Sequence, residues 1–375
     1  MLRAPGSNLQ AVAVSSRDGG PITDATEFTL TGYVRKKLTA SEMHASGILP
    51  FRDVLAQTDC RARLPKSDLD IVESGSDFRP LANLSTPTAQ QGVYGGPPPL
   101  LDSQKYFHSL RAGIGTTNAF DYPNTLSVGS IGFFVRARNA TQDVAYLVTN
   151  NHVIGRSCDE TQLEAVLGNP VVQPGTLDLT AVELLAFPTL PALEQILKIG
   201  EVAAVVPLQF VPLGAGTPPV NLVDAAIASL LLPKHRSSED LDRVTHGGGI
   251  RGTASFKPDR ATGRVKGDGR VFKVGRTTGY TEGVVTAIGG TALVPYGPGR
   301  DAYFANQIVV QATKDNVGPF SKRGDSGSGV LNARSELVGL LFAGSLLQTL
   351  VNPARDVLAA LSAALGVAGL DVITV

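Results

Sequence analysis

The 375-residue sequence has no tryptophan and only two cysteines, Cys60 and Cys158. Two cysteines exclude a disulfide framework and a four-cysteine zinc site. The longest apolar run, residues 338–343, is far shorter than the ~20 residues that a membrane-spanning helix requires. No apolar signal core follows the first residues. These absences predict a reduced, cytoplasmic protein with no membrane partner.

The chain also lacks net charge, because 33 Lys and Arg residues balance 33 Asp and Glu residues. General nucleic-acid binders derive their affinity from clustered basic charge, so we expect no nucleic-acid partner. Hydrophobic residues make up 43% of the chain, which excludes a disordered protein and allows a sizeable core. The length predicts two or three compact units.

Glycine and proline are abundant, with 41 and 24 residues, which predicts many turns between short strands. Residues 28–37 alternate between apolar and polar side chains and predict a strand, with residues 8–14 and 70–73 as its partners. Residues 39–58 are more polar and could carry a helix. Further strands are expected at residues 129–138, 145–149, 181–186, 224–232, 271–274, 283–288, 307–312, 329–332 and 337–342.

The composition changes in residues 80–100, which are rich in Pro, Gly, Ser, Thr and Gln, as is typical of a linker. We therefore predict an N-terminal α+β accessory module at residues 1–95. A strand-rich unit follows at residues 96–350, in which the loop-rich zone 235–269 separates two halves. Residues 351–375 are predicted to be a helix and a strand packed on that unit.

The C-terminal helix has clear boundary signals. Asn352 can cap it, Pro353 suits its first position and Gly366 can end it. The apolar residues follow helical spacing on one face: Ala354, Val357, Leu358, Leu361 and Leu365.

Three short segments contain residue types that could do chemistry. His152 follows an apolar strand segment, a position suited to general-base work near neutral pH. Asp224 enters an apolar strand, where a buried carboxylate needs a partner such as a histidine N–H. Ser326 lies in Gly-Asp-Ser-Gly-Ser-Gly, whose glycines allow the amides of Gly324 and Ser326 to face one side. Each segment also has a plain structural interpretation: a buried structural histidine, an aspartate that caps a turn and a flexible Gly/Ser turn.

The order of these residues separates the hydrolase classes. An α/β-hydrolase needs its histidine after the serine, and none of the five histidines follows Ser326. The order His152, Asp224, Ser326 is that of the chymotrypsin-type two-barrel proteases.

These segments resemble the His, Asp and Ser boxes of trypsin-like serine proteases at residues 150–153, 223–228 and 324–327. Residues 273–283, which contain Arg-Thr-Thr-Gly, resemble the matching segment of the bacterial alpha-lytic and streptogrisin-type enzymes. Nearly the whole chain is similar to the NARROW LEAF 1-like serine proteases of plants and bacteria, most strongly over residues 129–345. The further motifs that carry this similarity are Gly-Tyr-Val-Arg-Lys-Lys at residues 32–37, Gln-Pro-Gly at 173–175 and Leu-Phe-Ala-Gly-Ser at 341–345.

The resemblance implies a mainly β fold, a chymotrypsin-like double β-barrel with a small N-terminal α+β module and a C-terminal helix. It implies a serine endopeptidase in which Ser326 attacks the peptide carbonyl and His152 moves the proton. Asp224 would orient His152, and the amides of Gly324 and Ser326 would form the oxyanion hole.

The resemblance also implies the places of supporting residues. A protein or peptide substrate would lie extended along Phe342, Ala343 and Gly344. The residues expected near the primary specificity pocket are Phe320 and Ser321. Asp325, beside the nucleophile, would need a buried cation, for which Lys273 is the first candidate and Arg276 the second.

Some positions depart from the family pattern. Ser328 replaces the usual second glycine of the Ser box, and Phe342 stands where the secreted enzymes usually carry a serine. Phe320 stands six residues before Ser326 in place of an aspartate, which argues against a preference for Arg or Lys. No metal or cofactor is required, and a homo-oligomer stays open. Three alternatives remain: an inactive protease-fold scaffold, an esterase or acyltransferase, and a processing protease that a partner activates.

Overall fold

The computed structural model describes most of the chain. The described residues are 8–16, 21–22, 28–46, 48, 69–81, 83–85, 101–138, 144–212, 218–245, 247–256, 269–316 and 318–375. Most of the predicted linker, the end of the predicted helix at residues 39–58, and Cys60 lie outside these residues.

The described residues are mainly β, which confirms the predicted fold class. The strands of the N-terminal third are β1 (Leu9–Ser16), β2 (Phe28–Val34), β3 (Leu69–Glu73), β4 (Arg79–Pro80), β5 (Asn83–Ser85), β6 (Gly115–Asn118) and β7 (Leu126–Ser130). The next strands are β8 (Phe133–Ala137), β9 (Ala145–Thr149), β10 (Pro170–Val172), β11 (Lys198–Val205), β12 (Val220–Asn221), β13 (Ala226–Leu230), β14 (Arg243–Val244) and β15 (Gly248–Gly249). The last strands are β16 (Arg270–Gly275), β17 (Gly279–Pro295), β18 (Asp301–Ala312), β19 (Gly329–Asn332), β20 (Leu337–Gly344), β21 (Gln348–Pro353) and β22 (Leu370–Val372).

Six strands of the C-terminal half close into a ring. They pair in the order β18, β21, β20, β19, β16 and β17, and β17 pairs back onto β18. β17 is 17 residues long and bulged, as at Val285/Ala287, which lets it bend around the ring. Apolar side chains from all parts of the ring fill its centre, including Val271, Val310, Val330, Leu341 and Val351.

Nine strands form the other large sheet, in the order β22, β8, β9, β13, β11, β10, β6, β7 and β5. Phe134, Leu147, Ile199 and Ala226 belong to its core. A further apolar cluster joins both sheets, because it contains Phe133 and Ile227 of this sheet as well as Leu331, Leu337 and Leu340 of the ring.

The N-terminal strands extend the sheet that contains the ring. β1 pairs with β17, β2 pairs with β1, and β3 runs parallel to β2, so the predicted partners of the strand at residues 28–37 are confirmed. β4 then pairs with β20 of the ring, and β5 pairs with β7 of the nine-stranded sheet. The chain therefore crosses from one sheet to the other between β4 and β5.

Four α-helices were found among the described residues: α1 (Ala40–Ala45), α2 (Ala181–Ala186), α3 (Leu190–Leu197) and α4 (Ala354–Leu365). The predicted C-terminal helix is α4, and Gly366 ends it at φ 72°, a left-handed conformation that glycine adopts without strain. Asn352 does not cap it, because Asn352 is the penultimate residue of β21 and Pro353 holds the capping position. In the described part of the chain, no helix is long and apolar enough to span a membrane.

The expected strand at residues 181–186 is wrong, because this segment is α2. Thr180 and Glu183 form a reciprocal capping box at its start, which satisfies free amides of the first turn. Val182 and Leu185 are 76% and 82% exposed, so their apolar character did not indicate burial in a sheet. Each of the other expected segments contains a strand. The strands that were not predicted are β4, β5, β6, β10, β11, β12, β14, β15 and β21.

Candidate active site

His152 lies in a π-helical turn, Asn151–Gly155, that directly follows β9. Two asparagine side chains hold this turn in place. Asn150 Nδ2 donates to the Asp224 carbonyl over 2.7 Å, and Asn151 Nδ2 donates to the Cys158 carbonyl over 2.9 Å. Both asparagines are fully buried. The Asn-Asn pair of the sequence motif therefore positions the histidine by satisfying backbone groups that no strand or helix pairs.

Asp224 is fully buried just before β13 and contacts His152 at two points. Its Oδ2 lies 2.6 Å from His152 Nδ1, and its Oδ1 accepts the His152 backbone amide over 3.2 Å. A carboxylate can only accept, so the imidazole proton lies on Nδ1 and Nε2 is left as the basic nitrogen. The structure thus brings together two of the three predicted catalytic side chains.

Two further residues hold Asp224, and the sequence analysis missed both. Tyr296, near the end of β17, donates its hydroxyl to Asp224 Oδ2 over 2.5 Å. Burial first, and then the charge of Asp224, raise the pKa of Tyr296 well above its usual value. Asn352 accepts the Asp224 amide with Oδ1 over 3.0 Å and donates to Gln307 over 2.7 Å. Tyr296 follows Asp224 by 72 residues and has no local motif that could have identified it.

Ser326 lies in the turn at residues 324–329, just before β19. This turn packs against β7 of the nine-stranded sheet. Ser130 donates its amide to the Ser326 carbonyl over 2.7 Å and its hydroxyl to the Gly324 carbonyl over 2.9 Å. Gly324 has φ 99° and Gly327 has φ 89°, conformations that other residues rarely adopt. A Cβ at Gly327 would collide with Thr149 Oγ1, at the end of β9 that precedes His152. These glycines therefore let the serine turn approach the histidine turn.

Asp325 is fully buried and accepts several hydrogen bonds. Thr277 and Lys322 donate their amides over 2.8 Å each, and Thr278 donates its amide over 3.1 Å and its hydroxyl over 2.8 Å. Lys273 Nζ lies 3.8 Å from Asp325 Oδ2, with both side chains fully buried. Burial lowers the pKa of Lys273, and the charge of Asp325 opposes this shift. The first candidate cation is thus beside Asp325.

Arg276, the second candidate for this position, pairs with Asp178 instead. Its Nε donates to Asp178 Oδ1 over 2.8 Å, and its Nη2 also contacts this oxygen. Burial raises the pKa of Asp178, although Arg276 acts in the opposite direction. Because Arg276 lies three residues after Lys273, just beyond the end of β16, its side chain does not share the direction of Lys273.

The Ser326 hydroxyl is not hydrogen-bonded to His152, the residue expected to accept its proton. Ser326 Oγ donates to the Phe342 carbonyl over 3.1 Å and accepts the Leu81 amide over 2.9 Å. His152 Nε2 is buried and has no hydrogen-bond partner among the residues that the structure describes. The imidazole is therefore held at Nδ1 with Nε2 unpartnered, while the Ser326 hydroxyl is bonded to other groups.

The strand predicted to bind substrate is the end of β20. Its residues Ala343 and Gly344 pair antiparallel with Pro80 and Arg79 of β4. Phe342 accepts the Leu81 amide with its carbonyl over 3.2 Å. The Phe342 side chain lies in the core, with its ring centroid 4.7 Å from that of Phe304. Only its backbone is thus available to a peptide.

The two residues expected near the specificity pocket lie close to this strand and to Leu81. Phe320 is buried in the same apolar cluster as Leu81. Ser321 Oγ lies 2.6 Å from Thr349 Oγ1 of β21. Among the described residues, no group of His, Cys, Asp or Glu side chains could hold a metal ion.

No protein-family model matches the chain, and no curated protein is similar to it in sequence. Its solved structural neighbours are bacterial serine proteases. Thermobifida fusca protease A is 18% identical with a TM-score of 0.39, and the match covers 71% of this chain and 100% of that one. The chymotrypsin of Cellulomonas bogoriensis is 17% identical with a TM-score of 0.37, covering 71% and 100%. The protease of Nocardiopsis is 14% identical with a TM-score of 0.38, covering 70% and 98%. Sequence identities and TM-scores this low carry no argument about activity. The catalytic hypothesis therefore rests on the residues of this chain.

Proposed function

We propose that the chain is a serine endopeptidase of the NARROW LEAF 1-like type that cleaves peptide bonds through an acyl-enzyme. The observation that carries this proposal is the buried His152–Asp224 contact of 2.6 Å, which leaves Nε2 as a base beside the serine turn. A buried structural histidine would be expected to have both ring nitrogens paired.

The proposed reaction begins when the Ser326 side chain rotates away from the Phe342 carbonyl toward His152 Nε2. Ser326 Oγ attacks the peptide carbonyl carbon while its proton passes to Nε2, and the amides of Gly324 and Ser326 stabilise the oxyanion. The C–N bond then breaks, and His152 returns the proton to the leaving amine. Water hydrolyses the acyl-serine by the same steps, with its proton passing to His152 and then to Ser326.

Asp224 has two roles in this proposal. It holds the imidazole so that Nε2 faces the serine turn, and its charge stabilises the imidazolium that forms. Tyr296 and Asn352 hold Asp224 itself, which preserves this orientation without taking part in proton transfer.

A second candidate is a protease-fold scaffold without turnover. The observation that favours it is that Ser326 Oγ is bonded to the Leu81 amide and the Phe342 carbonyl, not to His152. The full set of three side chains favours the enzyme, because a scaffold has no need for an oriented base.

The test is exhaustive reaction of the native protein with a fluorophosphonate, read as intact mass, followed by a peptide-library digest. The protease proposal expects one adduct, on Ser326, and cleaved peptides. Ser326→Ala and His152→Ala should give neither, with unchanged folding. A native protein that acquires no adduct and cleaves no peptide contradicts the proposal and supports the scaffold. An adduct with turnover of esters alone would indicate an esterase.

A further inference from the structure

The chain places one of its own segments across the candidate active site. β4 (Arg79–Pro80) pairs with β20 in one sheet, and β5 (Asn83–Ser85) pairs with β7 in the other. Between the two strands the chain passes the serine turn at Leu81. This is the path that an extended peptide bound across both halves of the proposed protease would follow.

The backbone contacts of this segment are those of an added strand. Arg79 and Pro80 pair antiparallel with Gly344 and Ala343, and the Leu81 amide donates to the Phe342 carbonyl. Proline has no amide hydrogen, and Pro80 lies one residue before Leu81, whose amide does bond. In an antiparallel pair bonded and non-bonded positions alternate, so Pro80 costs no hydrogen bond.

Leu81 contacts both the proposed oxyanion hole and the residue expected near the specificity pocket. Its carbonyl accepts the amide of Gly324, one of the two proposed oxyanion donors. Its side chain is 6% exposed and lies in the apolar cluster that contains Phe320. Gly344 has no Cβ, and one placed there would lie 3.0 Å from Leu81 Cδ1. The pocket beside the serine is thus filled by an aliphatic side chain.

We propose that residues 79–81 are an intramolecular pseudosubstrate that blocks this site and marks the substrate class it accepts. That class is an extended peptide with a leucine-sized aliphatic residue immediately before the scissile bond. This inference rests on the proposed protease function, and it adds the substrate class and the regulation of that site.

The bound segment is held in an unreactive arrangement. Peptide cleavage requires Ser326 Oγ to pass its proton to His152 Nε2, yet the hydroxyl donates to the Phe342 carbonyl and accepts from the segment's own Leu81 amide. Ser326 is also fully buried, so a substrate must displace the segment to reach it.

Anchors on the N-terminal side hold the segment in place. Phe78 is fully buried against Tyr33 of β2, with the ring centroids 6.4 Å apart at 73°. Asp77 pairs with Arg35 over 2.6 Å. A segment tethered this closely competes at an effective concentration on the order of millimolar, so a free peptide must bind well to replace it.

The experiment compares wild type with Leu81→Asp, which should expel the side chain from the apolar pocket. The matched control is Leu185→Asp, at an exposed leucine of α2. Hydrogen exchange is measured at the amides of Leu81 and Gly324, and the rate of fluorophosphonate labelling is measured on each protein. Leu81→Gly replaces Leu81→Asp if the charged variant does not fold.

We expect both amides to be protected in wild type and in Leu185→Asp, and to exchange faster in Leu81→Asp. Labelling should accelerate at least about tenfold in Leu81→Asp only, because a site that is free a tenth of the time reacts at a tenth of its intrinsic rate. The released enzyme should cleave library peptides after Leu or Met in preference to Arg or Asp.

Three results would overturn the inference. The first is a Leu81 amide that exchanges freely in wild type. The second is equal labelling of all three proteins, and the third is cutting of the wild-type chain after Leu81, which would make the segment a substrate. Failure of the protease function would give a different result. The Leu81 amide would be protected in wild type and exchange faster in Leu81→Asp, but none of the three proteins would be labelled. That outcome would support the bound segment and contradict the proposed activity.

Discussion

The Tyr296 hydroxyl lies 2.5 Å from Oδ2 of Asp224, the same carboxylate oxygen that lies 2.6 Å from His152 Nδ1. Because burial and the neighbouring charge both raise the pKa of Tyr296, its hydroxyl stays protonated and keeps donating across the neutral and mildly alkaline range. Tyr296, which lies just after β17, is thus a hydroxyl donor to the carboxylate that contacts His152.

Removing this donor by Tyr296→Phe is expected to weaken the hold on Asp224. A hydrogen bond to a charged group contributes about 1.5–3 kcal/mol, and we expect the free energy of unfolding in urea to fall by that amount. Fluorophosphonate labelling should slow, but less than in Asp224→Asn. The matched control is Tyr280→Phe, since Tyr280 is 46% exposed and its hydroxyl bonds Glu282. Equal stability of Tyr296→Phe and wild type would argue that the hydroxyl does not hold Asp224.

Replacing Asp224 by Asn should leave the histidine in the wrong tautomer. In a protease with a Ser-His-Asp triad the same change lowers the catalytic rate roughly 10⁴-fold, and we expect a labelling rate reduced on that order. Asp178→Asn is the control, because Asp178 contacts Arg276 and not His152. That variant should lose stability, since it weakens a buried ion pair, but keep most of the labelling rate of its folded fraction. Similar labelling of Asp224→Asn and wild type would remove Asp224 from the mechanism.

Lys273→Met should leave the Asp325 carboxylate with its four amide and hydroxyl donors but without its cation. Breaking a buried pair costs about 3–5 kcal/mol, and we expect a decrease of that size in the free energy of unfolding. Asp325 is next to Gly324 and Ser326, so labelling of the folded fraction should also fall. Lys322→Met is the control, because the Lys322 side chain is exposed and its hydrogen bonds to Asp325 come from the backbone. A fully stable and active Lys273→Met protein would show that the amide and hydroxyl donors alone are enough to stabilise the buried Asp325 carboxylate.

Cys158 should be nearly inert toward alkylation in the native protein. Burial is the main cause that raises the pKa of its thiol to about 11, and the thiolate is the reactive form. Between pH 7 and pH 10 the rate of iodoacetamide reaction with Cys158 should therefore keep rising, about tenfold for each pH unit. The measurement uses Cys60→Ala protein, with urea-unfolded protein as the reference. A rate that levels off near pH 8.5 would mean that the thiol is not buried in solution.

Much of the fold follows from local patterns that the sequence displays. Alternation of apolar and polar residues identified β2 and its neighbours, and the boundary residue Gly366 identified the end of α4. The wrong strand prediction at residues 181–186 also came from a local pattern, because a short apolar run suits a strand as well as a helix. The Thr180–Glu183 capping box favours the helix that the structure shows. Asn352 was assigned to a helix cap for its residue type, whereas its neighbours in space made it a partner of Asp224.

For the candidate site, the chain order and the residue types around His152, Asp224 and Ser326 were enough to name a catalytic hypothesis, because each lies in a short motif with its own local chemistry. Tertiary structure alone decided which residues surround them. Tyr296 reaches Asp224 across 72 residues, and Leu81 reaches Ser326 across 245 residues. Such contacts depend on how strands pair and sheets pack, and no local pattern of side chains records that pairing. For this reason the position of Leu81 beside Ser326 follows only from the pairing of β4 and β5 with their two sheets.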